Sequence, residues 1–381
     1  VADQVRIIGD PALEPIRQKV LAGQRLSLED GRALYATRDL FTLGELANLV
    51  RERRWGRKAF YNVNRHINYT NYCVLQCRFC GFARPFGRPA TDGYVRSVEE
   101  IAALARQAAQ RGATEVHIVG GLHPKLPFSY YTDLCRAIRQ ECPRLHIKAF
   151  TAVEIVHFAR LPPRRSIAEV LSALREAGLD SLPGGGAEIF DQRVHRAAFK
   201  NKIGAQHWFD VHRVAHELGI PSNATMLYGH IESVEERLTH LLELRQHQDV
   251  SLRERRAAFQ CFVPLPFIPH GTPLAHLPGP TGLDDLRTMA VARLMLDNFP
   301  HIKAFWVMHS PKLAQVALNW GVDDFDGTVV WYDITKAQAG GGNRQQLTVP
   351  QIRRLIAGAG CQPVERDSLY HELETCGGAK Q

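Results

Sequence analysis

Three cysteines stand within eight residues, in the run Cys73-Val-Leu-Gln-Cys77-Arg-Phe-Cys80, while Cys135, Cys142, Cys261, Cys361 and Cys376 are dispersed. Thiolates at that spacing can hold a metal. A zinc site takes four ligands, usually as two Cys/His pairs with a longer spacer between them, and no matching second pair follows. Three thiolates on one compact loop suit a [4Fe-4S] cluster instead. Such a cluster is normally held by four cysteines, so a set of three leaves one iron open to a small molecule. A disulfide framework would be unusual in a chain of this length. Three chance thiols in a loop are the plain alternative.

Other residues could do chemistry around that loop. Over 62–70, strand alternation puts Asn64, His66, Asn68 and Thr70 on one face and Val63, Ile67 and Tyr69 on the other. A polar stripe on a central strand is costly unless it faces a wet site. His66, as a catalytic candidate, and Asn68, as a substrate contact, therefore point at a cavity or form a satisfied buried network. Tyr228 and His230 end a later strand, and either could bind a carboxylate or move a proton. Gly120-Gly121 closes another strand as a ligand contact or a simple turn, glycine permitting close approach. Glu154 stands just past a strand, either facing a ligand or solvated in its loop, and Phe79 lies inside the cysteine run. Gly184-Gly185-Gly186, two residues before the weaker substrate candidate Glu188, lacks the Lys-Ser/Thr sequel of a phosphate loop and reads as a tight ligand-facing turn. His212 and His216 have zinc-ligand spacing without a third ligand nearby, and are expected on a surface helix; Cys135 and Cys142 read as core thiols.

The elements that must position these residues alternate. Strands are expected over 62–70, 114–119, 146–151, 179–182, 187–190, 223–228, 257–263 and 302–307, with helices over 98–111, 130–141, 167–177, 205–218, 234–247 and 283–298. Gly112, Gly178 and Gly219 close helices before the next strand. Repeated β-then-α units imply parallel strands, and eight of them suit an α/β TIM-type barrel better than an open doubly wound sheet. Residues 1–58 read as an N-terminal helical extension, with Thr42 as an N-cap, 59–310 as the barrel core, and 311–381 as a segment completing or capping it. That last segment carries helices over 312–319 and 349–357 and a Gly-rich loop over 339–343.

The 381 residues are 45% hydrophobic and 23% charged, which excludes a disordered or low-complexity chain. No window approaches the roughly 20 apolar residues of a membrane span. The formal charge of +8 is scattered, and its densest runs, 51–58 and 253–256, lack the interleaved aromatics of a stacking surface. Neither a nucleic-acid nor a membrane partner is expected. The chain opens Val1-Ala2-Asp3 without a basic-then-apolar signal segment, so a cytoplasmic location is the default expectation.

The C-x3-C-x2-C loop, with Phe79 before its last cysteine and a strand before its first, resembles the signature of the radical S-adenosylmethionine (SAM) superfamily. The flanks, Asn64-Arg-His-Ile-Asn-Tyr-Thr-Asn71 and Gly81-Phe82, are similar to a group holding the aminofutalosine synthases, the cyclic dehypoxanthine futalosine synthases and the deazaflavin-forming synthases. Val119-Gly-Gly-Leu-His-Pro124, Phe150-Thr-Ala-Val-Glu-Ile155, Leu182-Pro-Gly-Gly-Gly-Ala-Glu-Ile189 and the run from Ser222 to Glu232 favour the first of these. Tyr69 and Gly81 stand where the family pattern leads one to expect Pro and Ala, at positions with no expected ligand role.

The resemblance implies a [4Fe-4S] cluster on Cys73, Cys77 and Cys80, with SAM chelating its open iron and consumed as co-substrate. It implies Phe79 beside the adenine, Gly120 and Gly121 against the methionine amino group, and Glu154 on the ribose hydroxyls. For the aminofutalosine synthases it implies addition of the 5′-deoxyadenosyl radical to 3-[(1-carboxyvinyl)oxy]benzoate, giving aminodeoxyfutalosine and bicarbonate in menaquinone biosynthesis. Arg, His and backbone N–H groups should then line a pocket for two carboxylates, and a flavodoxin- or ferredoxin-type donor should supply the low-potential electron. A sister enzyme working by hydrogen abstraction and a non-catalytic iron-sulfur protein are the other readings; the open coordination position argues against the latter.

Overall fold

Short apolar runs separated by amphipathic stretches fold here into strands and covering helices, over the residues that the computed structural model describes: 9–87, 92–330, 334 and 345–373. The strands are β1 (Lys58–Asn62), β2 (Asn64–Asn68), β3 (Glu115–Val119), β4 (His146–Ala149), β5 (Ser222–Tyr228), β6 (Phe259–Pro266), β7 (His301–Ile302), β8 (Asp324–Gly327) and β9 (Gln362–Glu365). β1 and β2 form one run broken at Val63. β2 pairs with β3, β3 with β4, β5 with β6 and β6 with β7, all parallel. Parallel bridges from Lys148 to Ser181 and from Leu182 to Ser222 put residues 181–182 between β4 and β5. A bridge from Lys303 to Asp324 carries the ring on to β8, which pairs with β1. The ring closes with eight parallel strand positions, the TIM-type barrel. β9 lies outside it, along the other edge of β1.

Two expected strands need correction. Residues 187–190 form none, because Glu188 takes a left-handed φ of 50° that interrupts extended backbone. The remaining ring position is filled by β8, whose Asp-Phe-Asp-Gly sequence reads as a turn until Asp324 and Asp326 are seen buried against Lys303 and Arg366. The expected strand over 302–307 is short, and the chain turns helical at Trp306–His309.

Helix starts follow their capping chemistry. Ser97, Ser166, Ser233 and Thr348 each accept from the backbone N–H three residues on while that residue's side chain reaches back. At the N-terminus, helices span Glu14–Leu21, Leu28–Ala36 and Leu40–Trp55; Asp39 caps the last, with Thr42 inside the helix donating to it. Leu34, Leu43 and Ala47 are fully buried in one core continuous with the barrel's outer layer. The Gly-rich loop over 339–343 and Cys376 lie outside the described residues.

Candidate functional site

A cavity of about 280 Å³ opens at the C-terminal ends of the strands, where barrels of this kind place their chemistry. The loop leaving β2 brings Cys73, Cys77 and Cys80 to its wall, half-buried. Cys73 N–H donates to Arg84 O at 2.9 Å and Val74 N–H to Leu122 O at 3.2 Å, which ties the loop to the chain on both sides. Burial pushes the Cys77 thiol up to about 12 and raises Cys80. Among the described residues no three His, Cys, Asp or Glu side chains converge on a single metal ion. Three thiols spread along one cavity wall fit a cluster that takes one thiolate on each of three irons. Gly121 lets this loop close in: a Cβ there would collide with the Tyr72 carbonyl oxygen and lie 3.1 Å from Cys73 Cβ.

Glu154 also lines the cavity, but its carboxylate is already occupied. It is the third residue of helix Ala152–Arg160, where Oε2 accepts from Thr151 N–H and Thr151 Oγ1, both at 2.7 Å. Oε1 accepts from Tyr69 Oη at 2.8 Å and from Gly120 N–H at 3.1 Å. Burial pushes its pKa up to about 7 despite these four donors. Tyr69 is therefore not remote from the expected ligand positions, as its place on the strand's other face suggested. Its hydroxyl grips the carboxylate expected on the ribose, and its ring, 2.7 Å from where a Gly120 Cβ would stand, explains that glycine.

Elsewhere at the mouth, Phe79 packs edge-on against Phe199, with Lys202 Nζ 5.2 Å from its ring. Lys202 pairs with Glu188, and both line the cavity beside the cysteines. Gly184 and Gly186 take φ of 80° and 94° there; a Cβ on Gly184 would strike the Asn223 carbonyl. Deeper, His66 stacks on His117 with ring centroids 4.3 Å apart. Burial depresses His66 to about 4 and His117 well below its usual range, so both imidazoles are neutral. Around them stand the buried pairs Lys148–Glu115 at 2.6 Å and Lys303–Asp326 at 2.5 Å, with Asn223 and Thr225. Burial works against the Glu115 carboxylate, yet Lys148 and Lys303 hold it well below the usual range.

Three of the expected site residues do not line the cavity. On β5 the inward positions are Asn223, Thr225 and Leu227, so Tyr228 points outward by alternation. There its hydroxyl donates to Asp285 Oδ1 at 2.6 Å and lies 3.2 Å from His309 Nε2. The His230 ring folds back, Nε2 donating to Leu227 O at 3.0 Å and Nδ1 lying 3.3 Å from Glu232. Asn68 spends its amide across the ladder, donating to Val119 O at 2.9 Å.

His212 and His216 are not on a surface. Both are fully buried around Ser222, whose Oγ lies 2.9 Å from His212 Nδ1 and 2.8 Å from His216 Nε2. Cys135 is fully buried and Cys142 nearly so, away from the cavity.

Sequence reasoning missed Glu115, His117, Lys148, Lys202, Lys303 and Asp326. The signal was present in part: the alternation that turns His66 inward also puts Glu115, His117 and Val119 on one face of β3. Of the arginines and histidines expected in the pocket, His66 and His117 line it, while among the described residues the cations that do so are Lys148, Lys202 and Lys303.

Residues 67–244 match the model of the Radical SAM superfamily, and residues 256–377 match the CofH/MqnC C-terminal region. The chain is 51% identical to an aminodeoxyfutalosine synthase of Thermus thermophilus, over 97% of this chain and 98% of that one. It is 42% identical to the Streptomyces coelicolor enzyme of the same name, over 94% and 93%. A 5-amino-6-(D-ribitylamino)uracil–L-tyrosine 4-hydroxyphenyl transferase of Methanopyrus kandleri is 37% identical, over 91% and 94%. Among solved structures, methylornithine synthase superposes with a TM-score of 0.71 at 20% identity, covering 91% of this chain and 97% of that one.

Proposed function

Since this chain belongs to the radical SAM superfamily, in the family of the aminodeoxyfutalosine synthases, we propose that it adds the 5′-deoxyadenosyl group of SAM to 3-[(1-carboxyvinyl)oxy]benzoate, forming aminodeoxyfutalosine and bicarbonate in menaquinone biosynthesis. It is a radical SAM enzyme, with a [4Fe-4S] cluster and SAM as its cofactors. A cluster held by Cys73, Cys77 and Cys80 would, once reduced, supply the electron that cleaves bound SAM to a 5′-deoxyadenosyl radical. In this reading Cys73, Cys77 and Cys80 hold the cluster, Phe79 packs beside the adenine, and the rim of Gly120, Gly121 and Glu154 receives the rest of SAM. His66 faces the substrate as a neutral imidazole, able to accept or donate one hydrogen bond at each ring nitrogen without adding charge. The apolar wall of Val263, Leu265 and Phe305 keeps water from the reacting carbon. Glu188 holds Lys202 at the mouth, beside the cysteine loop.

One observation carries this reading: full-length likeness at 51% identity coincides with a barrel mouth where three cysteines and Glu154 share one cavity. No helix among the described residues is long and apolar enough to cross a membrane. A cytoplasmic location and an electron donor of the flavodoxin or ferredoxin type belong to the proposal.

Anaerobic reconstitution followed by product analysis tests it. About four irons per chain are expected, together with covalent capture of the adenosyl group by the substrate. Free 5′-deoxyadenosine as the main product would instead favour a hydrogen-abstracting sister enzyme. Cys77→Ala should abolish both iron binding and turnover, and a Cys77→Ala protein that kept its activity would remove the ligand assignment.

A further inference from the structure

The barrel interior beneath the cysteine loop holds two ammonium groups, 3% (Lys148) and 6% (Lys303) exposed. Lys148 projects from β4, and Lys303 follows β7; in the closed ring these positions stand on opposite walls. Lys148 Nζ donates to Glu115 Oε2 at 2.6 Å and Lys303 Nζ to Asp326 Oδ1 at 2.5 Å. Among the described residues these are the hydrogen bonds the two ammoniums make. An ammonium carries three N–H donors, so each has two to spare inside a cavity wall, where a donor without an acceptor is costly.

We propose that Lys148 and Lys303 are the two cations that receive the substrate's carboxylates, one on each wall. This rests on the functional reading above, which makes the ligand an aromatic dicarboxylate. Each ammonium keeps its resident Glu115 or Asp326 and accepts a ligand carboxylate as a second partner. The resident carboxylates neutralise the two ammoniums, so no unpaired buried charge has to be carried before the ligand enters. A lysine suits this double duty, because its donors point in three directions, whereas the arginine fork matches a single carboxylate. The His66–His117 stack and Phe305 line the same cavity and give it an aromatic character suited to an aromatic spacer. Lys202 is set apart at the rim, over Phe79 beside the cysteines.

The test uses the reconstituted holoenzyme with SAM, titrated calorimetrically with benzene-1,3-dicarboxylate and with benzoate. Wild type should bind the dicarboxylate more tightly than benzoate. Lys148→Met or Lys303→Met should each weaken the dicarboxylate about 10- to 150-fold, the range of one charge-assisted hydrogen bond. Benzoate should lose at most about twofold, because one lysine still serves its single carboxylate. Removing one lysine strands a buried carboxylate, so Lys148→Gln with Glu115→Gln and Lys303→Gln with Asp326→Asn supply charge-neutral counterparts.

If these double variants keep their iron and bind the dicarboxylate like wild type, the proposal is overturned; equal losses for both probes would overturn it as well. A failed functional reading looks different. The dicarboxylate would still depend on the lysines, which supports the present assignment, while 3-[(1-carboxyvinyl)oxy]benzoate went unconverted.

Discussion

The Tyr69 hydroxyl donates to Glu154 Oε1 at 2.8 Å, joining the end of β2 to the first turn of the helix that follows β4. The same oxygen accepts the Gly120 N–H at the end of β3. One carboxylate therefore fixes the relative height of three neighbouring strand ends at the cavity rim, and Tyr69 completes its shell although no ligand role was expected of it.

Tyr69→Phe keeps the ring and deletes that donor. A hydrogen bond to a charged group contributes about 1.5–3 kcal/mol, so unfolding free energy should fall by that amount in urea titrations above pH 7, where Glu154 is ionised. If Glu154 meets the SAM ribose, KM for SAM should rise with iron content unchanged. Wild-type stability together with wild-type KM would show that Thr151 and Gly120 suffice to hold Glu154.

The pH dependence of stability should carry the mark of Glu154. Its pKa is pushed up by burial from 4.5 to about 7. A carboxyl raised in the folded state takes up a proton on folding, so its contribution is fully present below the unfolded value and is lost as pH rises through about 7. The contribution is about 3 kcal/mol at most. Replacing Glu154 by Gln should flatten the fall in unfolding free energy over that window, and parallel profiles for the two proteins would refute the assignment.

Gly121→Ala places a methyl group against the Tyr72 carbonyl and Cys73 Cβ, with backbone on one side and the cysteine loop on the other. Overpacking of this kind costs about 1–3 kcal/mol, and the loop should shift enough to lower iron retention after reconstitution. Gly204→Ala, at a position with nothing within 4 Å, is the control and should retain iron fully.

At the base of the barrel, Arg366 Nη2 and Nε donate to Asp324 Oδ2 at 2.6 and 3.0 Å, and both side chains are fully buried. Burial opposes the Asp324 carboxylate, but Arg366 and Lys303 hold it down to about 2. Arg366→Met removes its main partner and should destabilise the protein by about 3–5 kcal/mol. Adding Asp324→Leu should restore part of the loss. A double variant no more stable than Arg366→Met would mean that Arg366 acts through packing on Tyr370, over whose ring it lies at 4.0 Å.

Much of the site was legible from local pattern. The cysteine spacing and the inward polar face of His66 depend only on neighbours in the chain and on a period of two. The starts of the expected helices were legible for the same reason, because a Ser or Thr followed three residues later by Glu or Gln caps a helix wherever that helix packs; the end of the helix from Val234 was not, since it runs on to Glu254 where 247 was expected. β8 was not legible: Asp-Phe-Asp-Gly becomes a strand only when Lys303 and Arg366 arrive to compensate two buried carboxylates. The outward direction of Tyr228 was not legible for a related reason, since the face its strand turns inward follows from pairing with β6 and not from its place at the strand's end.

The chain's own order of residues thus sufficed for the cluster loop, the alternation of strands and helices, and the membership those imply. Closure of the ring settled which polar groups meet. Lys148 and Lys303 come from strands far apart in sequence, and neither has a visible reason to be buried until Glu115 and Asp326 stand beside them. Burying a charge is unfavourable except against its partner, and that partner is chosen by the long-range strand register, which no local pattern encodes.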